Sequence, residues 1–269
     1  MKIGPQSSRQ TGISTSTPDQ IVVRGKDLCA ELIGKISFTE HTWLLVAGSL
    51  PTDVQRSALD AALVAIAEHG LVPSVQAARM TYAAAPEAVQ GAVAAGLLGC
   101  GSVILGAAEA AGHFLEECLA AKGDRRQAIR DAILKRRSEG NAIPGYGHPY
   151  HTSHDPRTGR LIEVARELGV FGRHFETALL AEEVIPGVVG RNLVLNVSGA
   201  IPSLLLDAGF PLLAMKGVPI LARTASLIAH IMEERQNPIG FALSEVGSDA
   251  ITYSGETPEG FAPRKAAGE

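Results

Sequence analysis

The segment whose residues most invite a chemical reading runs from Ser138 to Arg157, SEGNAIPGYGHPYHTSHDPR. It carries His148, His151 and His154 at three-residue spacing, Asp155 beside the last of them, and Arg157 two positions on. A histidine can hydrogen-bond a carbonyl or hydroxyl and move its proton, and an arginine offers a rigid fork of donors that fits a carboxylate. Gly140, Pro144, Gly145, Gly147, Pro149 and Pro156 forbid a regular helix here. The side chains therefore sit on a loop, where placed polar groups often carry function. Three histidines beside an aspartate could also be a metal site. That spacing would align ligands on a helix, however, and the prolines break one, so no metal is expected.

Other candidates are single residues with plain structural readings beside them. His69 falls at the C-terminal end of a helical pattern, where it could simply cap the helix favourably. Arg223 could be a surface or helix-pairing residue. Arg125, Arg126, Arg130, Lys135, Arg136 and Arg137 surround Ile129, Ile133 and Leu134 in a basic amphipathic pattern, which reads as a solvated helix face before a phosphate grip. Ser198 lacks the Gly-x-Ser-x-Gly setting of a nucleophile elbow.

Helices must position these groups. Thr52-Asp53 can cap a helix bearing Val54, Leu59, Leu63 and Ile66, with Gly70 to stop it, and Asp124 opens the basic one. Helical patterns also cover 160–168, 176–183, 199–208 and 218–234. Strand signals are confined to 20–24 and 192–197, so the fold class is mainly α. The uncharged run from Ala92 to Ala108 approaches bilayer-spanning length, but it is Ala- and Gly-rich and closed by Glu109, which fits a tightly packed internal helix better.

The chain's 269 residues, 46% of them hydrophobic, can bury a substantial core. A formal charge of -4 with a pI near 6.1 gives no basic field for nucleic acid or anionic membrane, so neither partner is expected and a small molecule is. Cys29, Cys100 and Cys118 form no Cys-x-x-Cys pattern and read as reduced thiols. Residues 1–20 lack the apolar core of a secretory signal and read as a flexible leader of a cytoplasmic protein.

Five ordered motifs together resemble the citrate synthase and citryl-CoA lyase family. They are Ile33-Gly34-Lys35-Ile36-Ser37-Phe38 with Leu50-Pro51-Thr52; Glu68-His69-Gly70-Leu71 with Ala77-Ala78-Arg79; Ile143-Pro144-Gly145-Tyr146-Gly147-His148 with Asp155-Pro156-Arg157; Leu195-Asn196-Val197-Ser198-Gly199-Ala200; and Ala222-Arg223-Thr224 with Ala229-His230. The resemblance implies a large helical domain, 21–104 with 205–269, around a smaller inserted helical domain, 105–204. It also implies a homodimer or a multiple of one.

By the same resemblance, His69, Arg157 and Arg223 would bind the keto-acid or citryl part of a di- or tricarboxylate substrate, with His148 moving the hydroxyl proton. The coenzyme A part of a thioester substrate would lie along Asn141, Ile143, Pro144, Gly145, Tyr146 and Gly147, and the family loop uses no metal. Three departures bear on the reaction. Ile104 stands where synthases carry the histidine that donates to the thioester oxygen, and Ser198 stands at the catalytic position where a carboxylate takes a proton from the acetyl carbon. No arginine falls between Arg235 and Arg264, where synthases lend one across the dimer. An unassisted hydroxyl is a very poor base at neutral pH. Condensation is therefore disfavoured, and the expected activity is that of a carbon-carbon lyase on citryl-CoA or a related 3-hydroxyacyl-CoA. A condensing enzyme with an altered substrate and a non-catalytic binding protein are the alternatives.

Overall fold

Helix-start chemistry segments the chain in its computed structural model, which describes residues 9–101, 105, 107–147 and 153–261. Ser37 and Glu40 form a reciprocal capping box that opens α1 (Phe38–Ala47), and Gly48 closes it in the left-handed conformation. Thr52 and Gln55 do the same for α2 (Asp53–Ala67): the Gln55 N–H donates to Thr52 Oγ1 at 3.2 Å, and the Thr52 N–H to Gln55 Oε1 at 3.0 Å. Before them, β1 (Ser14–Ser16), β2 (Ile21–Val23) and β3 (Lys26–Asp27) form a small antiparallel sheet, followed by a π-helical turn over Leu28–Leu32. β1 falls inside the stretch read as a leader. It pairs Ser14 with Val23 and Ser16 with Ile21, so backbone bonding orders a polar segment that carries no apolar signal.

The chain packs as two compact units, Met1–Ala62 with Ala108–Met215, and Leu63–Ala107 with Lys216–Glu269. The smaller inserted domain implied over 105–204 remains an expectation.

The first unit contains α5 (Ala107–Ala120), α6 (Arg125–Ser138), α7 (Pro156–Glu167), α8 (Arg173–Val189) and α9 (Val197–Asp207). Phe114, Leu115, Ile129, Ile133, Ala181, Ile185 and Leu195 form one buried cluster among them. Asp124 caps α6 through the Gln127 N–H, 2.8 Å away. The basic residues of α6 largely meet carboxylates of neighbouring helices: Arg125 pairs with Glu176, Arg126 with Glu183, and Lys135 and Arg136 with Glu117. The plain reading of that face is the one this pattern supports.

A buried three-residue group fastens α8 to α9 and α5. His174, 4% exposed, places Nδ1 2.7 Å from Asp207 and Nε2 3.0 Å from Glu116. Asp207 also accepts the N–H groups of Gly172, His174 and Phe175 at the start of α8. Burial alone would lower the pKa of His174, but bonding to Asp207 and Glu116 outweighs it and raises it above the ordinary 6.5. A raised value makes this contribution to stability complete below about pH 6.5 and removes it as pH climbs through the folded-state value. Urea unfolding midpoints should therefore fall on the alkaline side, from about pH 7 upward, by an increment that His174→Gln abolishes. Parallel pH profiles for the two proteins would contradict this.

The second unit contains α3 (Pro73–Ala84), α4 (Val89–Leu98), α10 (Gly217–Gln236) and α11 (Gly240–Ala250). A Cβ on Gly96 would stand 2.7 Å from Leu227 and 2.8 Å from the Ser74 carbonyl, so α4, α3 and α10 meet at a contact only glycine permits. The single packed helix expected over 92–108 is corrected: α4 ends at Leu98 and a separate helix, α5, begins at Ala107. Gly99 and Cys100 donate back three residues, to Gly96 and Leu97, which tightens and ends the turn where glycine is a poor helix former. The strand signal at 192–197 is likewise reduced to one bridge between Tyr146 and Leu195, with α9 starting at Val197. One stretch among the described residues, Leu212–Gln236, is long and apolar enough to span a bilayer by length and composition. It contains Arg223 and Glu234, both nearly fully buried.

Candidate functional site

In the first unit, the loop after α6 is pinned against the start of α9. Gly145 and Gly147 have φ of +86° and +81°, conformations other residues rarely adopt. A Cβ on Gly145 would come within 2.8 Å of Gly199 Cα, and one on Gly199 within 2.8 Å of the Gly145 carbonyl oxygen. Two glycines thus let two backbones touch. The Asn196 N–H donates to the Gly145 carbonyl at 2.9 Å, the Gly147 N–H to the Val194 carbonyl at 2.8 Å, and Asn196 Nδ2 to the Gly147 carbonyl at 2.6 Å.

Ile143 and Tyr146 turn inward, with the Tyr146 hydroxyl donating to the Ala178 carbonyl at 2.8 Å. Their side chains belong to the core, so a ligand on this loop would meet backbone. Asn141 is exposed, and its Nδ2 donates to Glu139 at 3.1 Å.

Asn196 is also the cap of α9, accepting from the Ser198 N–H at 2.9 Å. Ser198 therefore stands in the helix's first turn, half-buried, where the macrodipole favours negative charge. Beside it lies the carboxylate of Asp155, which stands in the family-like loop motif without an expected role of its own. Asp155, 1% exposed, caps α7, accepts the Val197 N–H at 3.0 Å, and holds Arg157 through Nε at 3.0 Å and Nη2 at 2.9 Å. One edge of the Arg157 guanidinium, expected to grip a ligand, is thus turned to Asp155. Burial pushes the Asp155 carboxyl up, but Arg157 and the Val197 N–H outweigh it and hold it below the ordinary 3.8. Such an acceptor is a poor base, so Asp155 does not replace the carboxylate missing at Ser198.

In the second unit, His69 lies on the turn between α2 and α3, with Gly70 at φ +74°. Arg223 sits in the second turn of α10, 2% exposed. Its Nη1 lies 3.5 Å from Ser226 Oγ and 3.9 Å from Glu68 Oε2, its Nη2 is 3.5 Å from the Ile66 carbonyl, and its Nε has no partner among the described residues. Burial lowers the pKa of this guanidinium, with Glu68 acting in the opposite sense. A second buried arginine, Arg79, is paired with Glu234 at 2.6 Å and Glu233 at 2.5 Å.

His148, His151 and Ile104 lie outside the described residues. Among the described residues no group of three potential metal ligands forms.

The chain matches the family model described as the citrate synthase C-terminal domain over residues 52–240. It belongs to the citrate synthase family. Among solved structures, the citryl-CoA lyase of Hydrogenobacter thermophilus is similar at 33% identity and a TM-score of 0.82, covering 94% of this chain and 97% of that one. The ATP citrate lyase of Methanothrix soehngenii, in complex with citrate and coenzyme A, shares the fold at 22% identity and a TM-score of 0.73, covering 97% of this chain and 44% of its own. The citrate synthase of Heyndrickxia coagulans is 26% identical over 75% of this chain and 53% of its own. The chain spans about half the length of that curated relative. This citrate synthase family member accordingly has the mainly helical fold that its sequence implied.

Within this family frame, the residues that sequence reading left without a role are Asp155 and Glu68. Asp155 had a legible signal, since Asp-Pro opens a helix with a cap and a first-position proline. Glu68 stands in the family-like run Glu68-His69-Gly70-Leu71, which gives no sign of its contacts with α10.

Proposed function

We propose that the protein cleaves the carbon-carbon bond of citryl-CoA or a related 3-hydroxyacyl-CoA, giving an acyl-CoA and a keto acid. The observation that carries this is the full-length match to a citryl-CoA lyase, 97% of that chain, against 53% of a citrate synthase. In the cleavage direction, a base takes the hydroxyl proton, the bond to the CoA-bearing carbon breaks, and its electron pair enters the thioester as an enolate. His148 is the family candidate for that base. Asn141 to Gly147 would meet the coenzyme A part through backbone, and Arg157, Arg223 and His69 would meet the carboxylates and the carbonyl. The enolate then needs a proton, and Ser198 leaves solvent to supply it.

The sequence departures at Ile104 and Ser198 weigh against condensation and lower the rate expected of any reaction that needs a base at Ser198. We extend the proposal to a homodimer or a multiple of one, with no metal required, acting in the cytoplasm. Incubation with citryl-CoA should release acetyl-CoA and oxaloacetate together in equal amounts, as read by malate dehydrogenase coupling. Acetyl-CoA with oxaloacetate should release free thiol at least tenfold more slowly. Faster thiol release than cleavage would favour a condensing enzyme. Tight binding of both substrates with neither reaction would leave a binding protein.

A further inference from the structure

Glu68 touches both elements to which carboxylate binding is assigned in the second unit. Its Oε1 accepts the backbone N–H of His69 at 2.9 Å and that of Gly70. Its Oε2 accepts from Ser226 Oγ and from His230 Nε2 at 3.1 Å, and lies 3.9 Å from Arg223 Nη1. Ser226 and His230 stand one and two turns beyond Arg223 on α10. One carboxylate therefore ties the His69 turn to the part of α10 that carries Arg223.

Donors surround it. The His69 and Gly70 amides can only donate, and His230 is held in a donating form from behind. His230 Nδ1 faces Arg79 Nη1 at 3.5 Å, and a guanidinium cannot accept, so Nδ1 is the acceptor and Nε2 bears the hydrogen. Arg79 is fixed in turn by Glu234, Glu233 and the Asn237 carbonyl at 3.0 Å. An acceptor-only group is what this position requires. A glutamine there would aim N–H groups at donors on one side or the other. Among the described residues, Arg223 is buried, lacks a partner at Nε, and has Glu68 as its counter-charge at 3.9 Å.

We infer that Glu68 is a positioning residue: it sets the spacing between the His69 turn and the Arg223 guanidinium, and so the fit of a di- or tricarboxylate to them. This rests on the assignment of His69 and Arg223 to the carboxylate ligand. Because the charge of Glu68 is already met by these donors, it orients Arg223 without replacing the ligand's own carboxylate.

Titration calorimetry with citrate, and separately with acetyl-CoA, tests this on the wild type and on Glu68→Gln, Glu68→Asp and Ser226→Ala. Glu68→Gln should bind citrate roughly five- to tenfold more weakly, the scale of one or two hydrogen bonds, with acetyl-CoA affinity and melting temperature little changed. Glu68→Asp, which keeps an acceptor-only group, should recover part of the loss. Ser226→Ala, which removes one tie at unchanged charge, should lose about threefold, and it keeps the test open if the glutamine variant folds poorly. Wild-type affinity for citrate in both Glu68→Gln and Ser226→Ala overturns the inference alone, as does an equal loss for citrate and acetyl-CoA. A wild type that binds no citrate overturns the carboxylate assignment and the inference with it.

Discussion

Asp155→Ala should destabilise the protein by about 3 kcal/mol, the lower end of the range for removing one partner of a buried ion pair. The wild-type carboxylate is 1% exposed and takes four N–H groups: the Arg157 and Val197 amides, and Arg157 Nε and Nη2. Truncation strands them together. The Val197 amide begins α9 in a buried setting, where an unmade hydrogen bond costs about 1 to 3 kcal/mol, and α7 loses its cap, worth about 1 kcal/mol. Arg157 is 20% exposed, so water recovers part of the remainder, which is why the low end applies. Urea unfolding reads the effect directly. A loss below about 1 kcal/mol would mean that Asp155 is no more than an ordinary cap. Acid should produce the same loss in the wild type. Because the folded-state value lies below the ordinary 3.8, the contribution is complete above that pH and disappears as pH falls through the folded value.

Helix starts were the most legible part of this fold, because caps are local chemistry. Thr52 and Asp124 each announce a helix within three or four residues, whereas Pro156, read as breaking a helix, opens α7 behind the Asp155 cap. The broken run after Ala92 was misread for the opposite reason. Periodicity and the lack of charge describe what packs, whereas Gly99 ends α4 through backbone bonding that hydropathy does not record. At the site, the glycines of the 143–147 run were visible as a loop, but not that Gly145 needs Gly199, far along the chain, as its counterpart. Arginines were identified by type and motif, while their state depended on partners. Arg157 is adjacent in sequence to the residue pair that holds it, yet nothing in composition says that Asp155 takes its Nε and Nη2. Glu68 was harder still, since Ser226 and His230 reach it from α10 across more than 150 positions of chain.

Ser198→Asp should accelerate hydrogen exchange at the acetyl carbon of acetyl-CoA by about 10- to 100-fold over a slow wild type, below the full 10² to 10⁴ of a general acid-base group. The helix should accept the change. Ser198 lies in the first turn of α9, where the macrodipole favours a carboxylate, and its amide is already capped by Asn196. Asp155 is close by through Val197, but it is matched by Arg157, so a second carboxylate does not meet an uncompensated charge. The flanking backbone is held independently, by Asn196 on Gly145 and by Gly199 against the same loop, which keeps the new side chain at the position where the family resemblance puts a carboxylate. Ile104 caps the gain, because an enolate oxygen without its histidine donor lacks a hydrogen bond worth a large share of such catalysis. Exchange needs only a base and a bound thioester, so it reports on the base without requiring turnover. If exchange is equal in both proteins while acetyl-CoA binding is intact, Ser198 does not face the acyl carbon, and the correspondence with the family's carboxylate fails at that residue. If the variant exchanges faster but still cleaves no citryl-CoA, the base is restored and the block lies at the thioester oxygen, which Ile104→His in the same chain would then relieve.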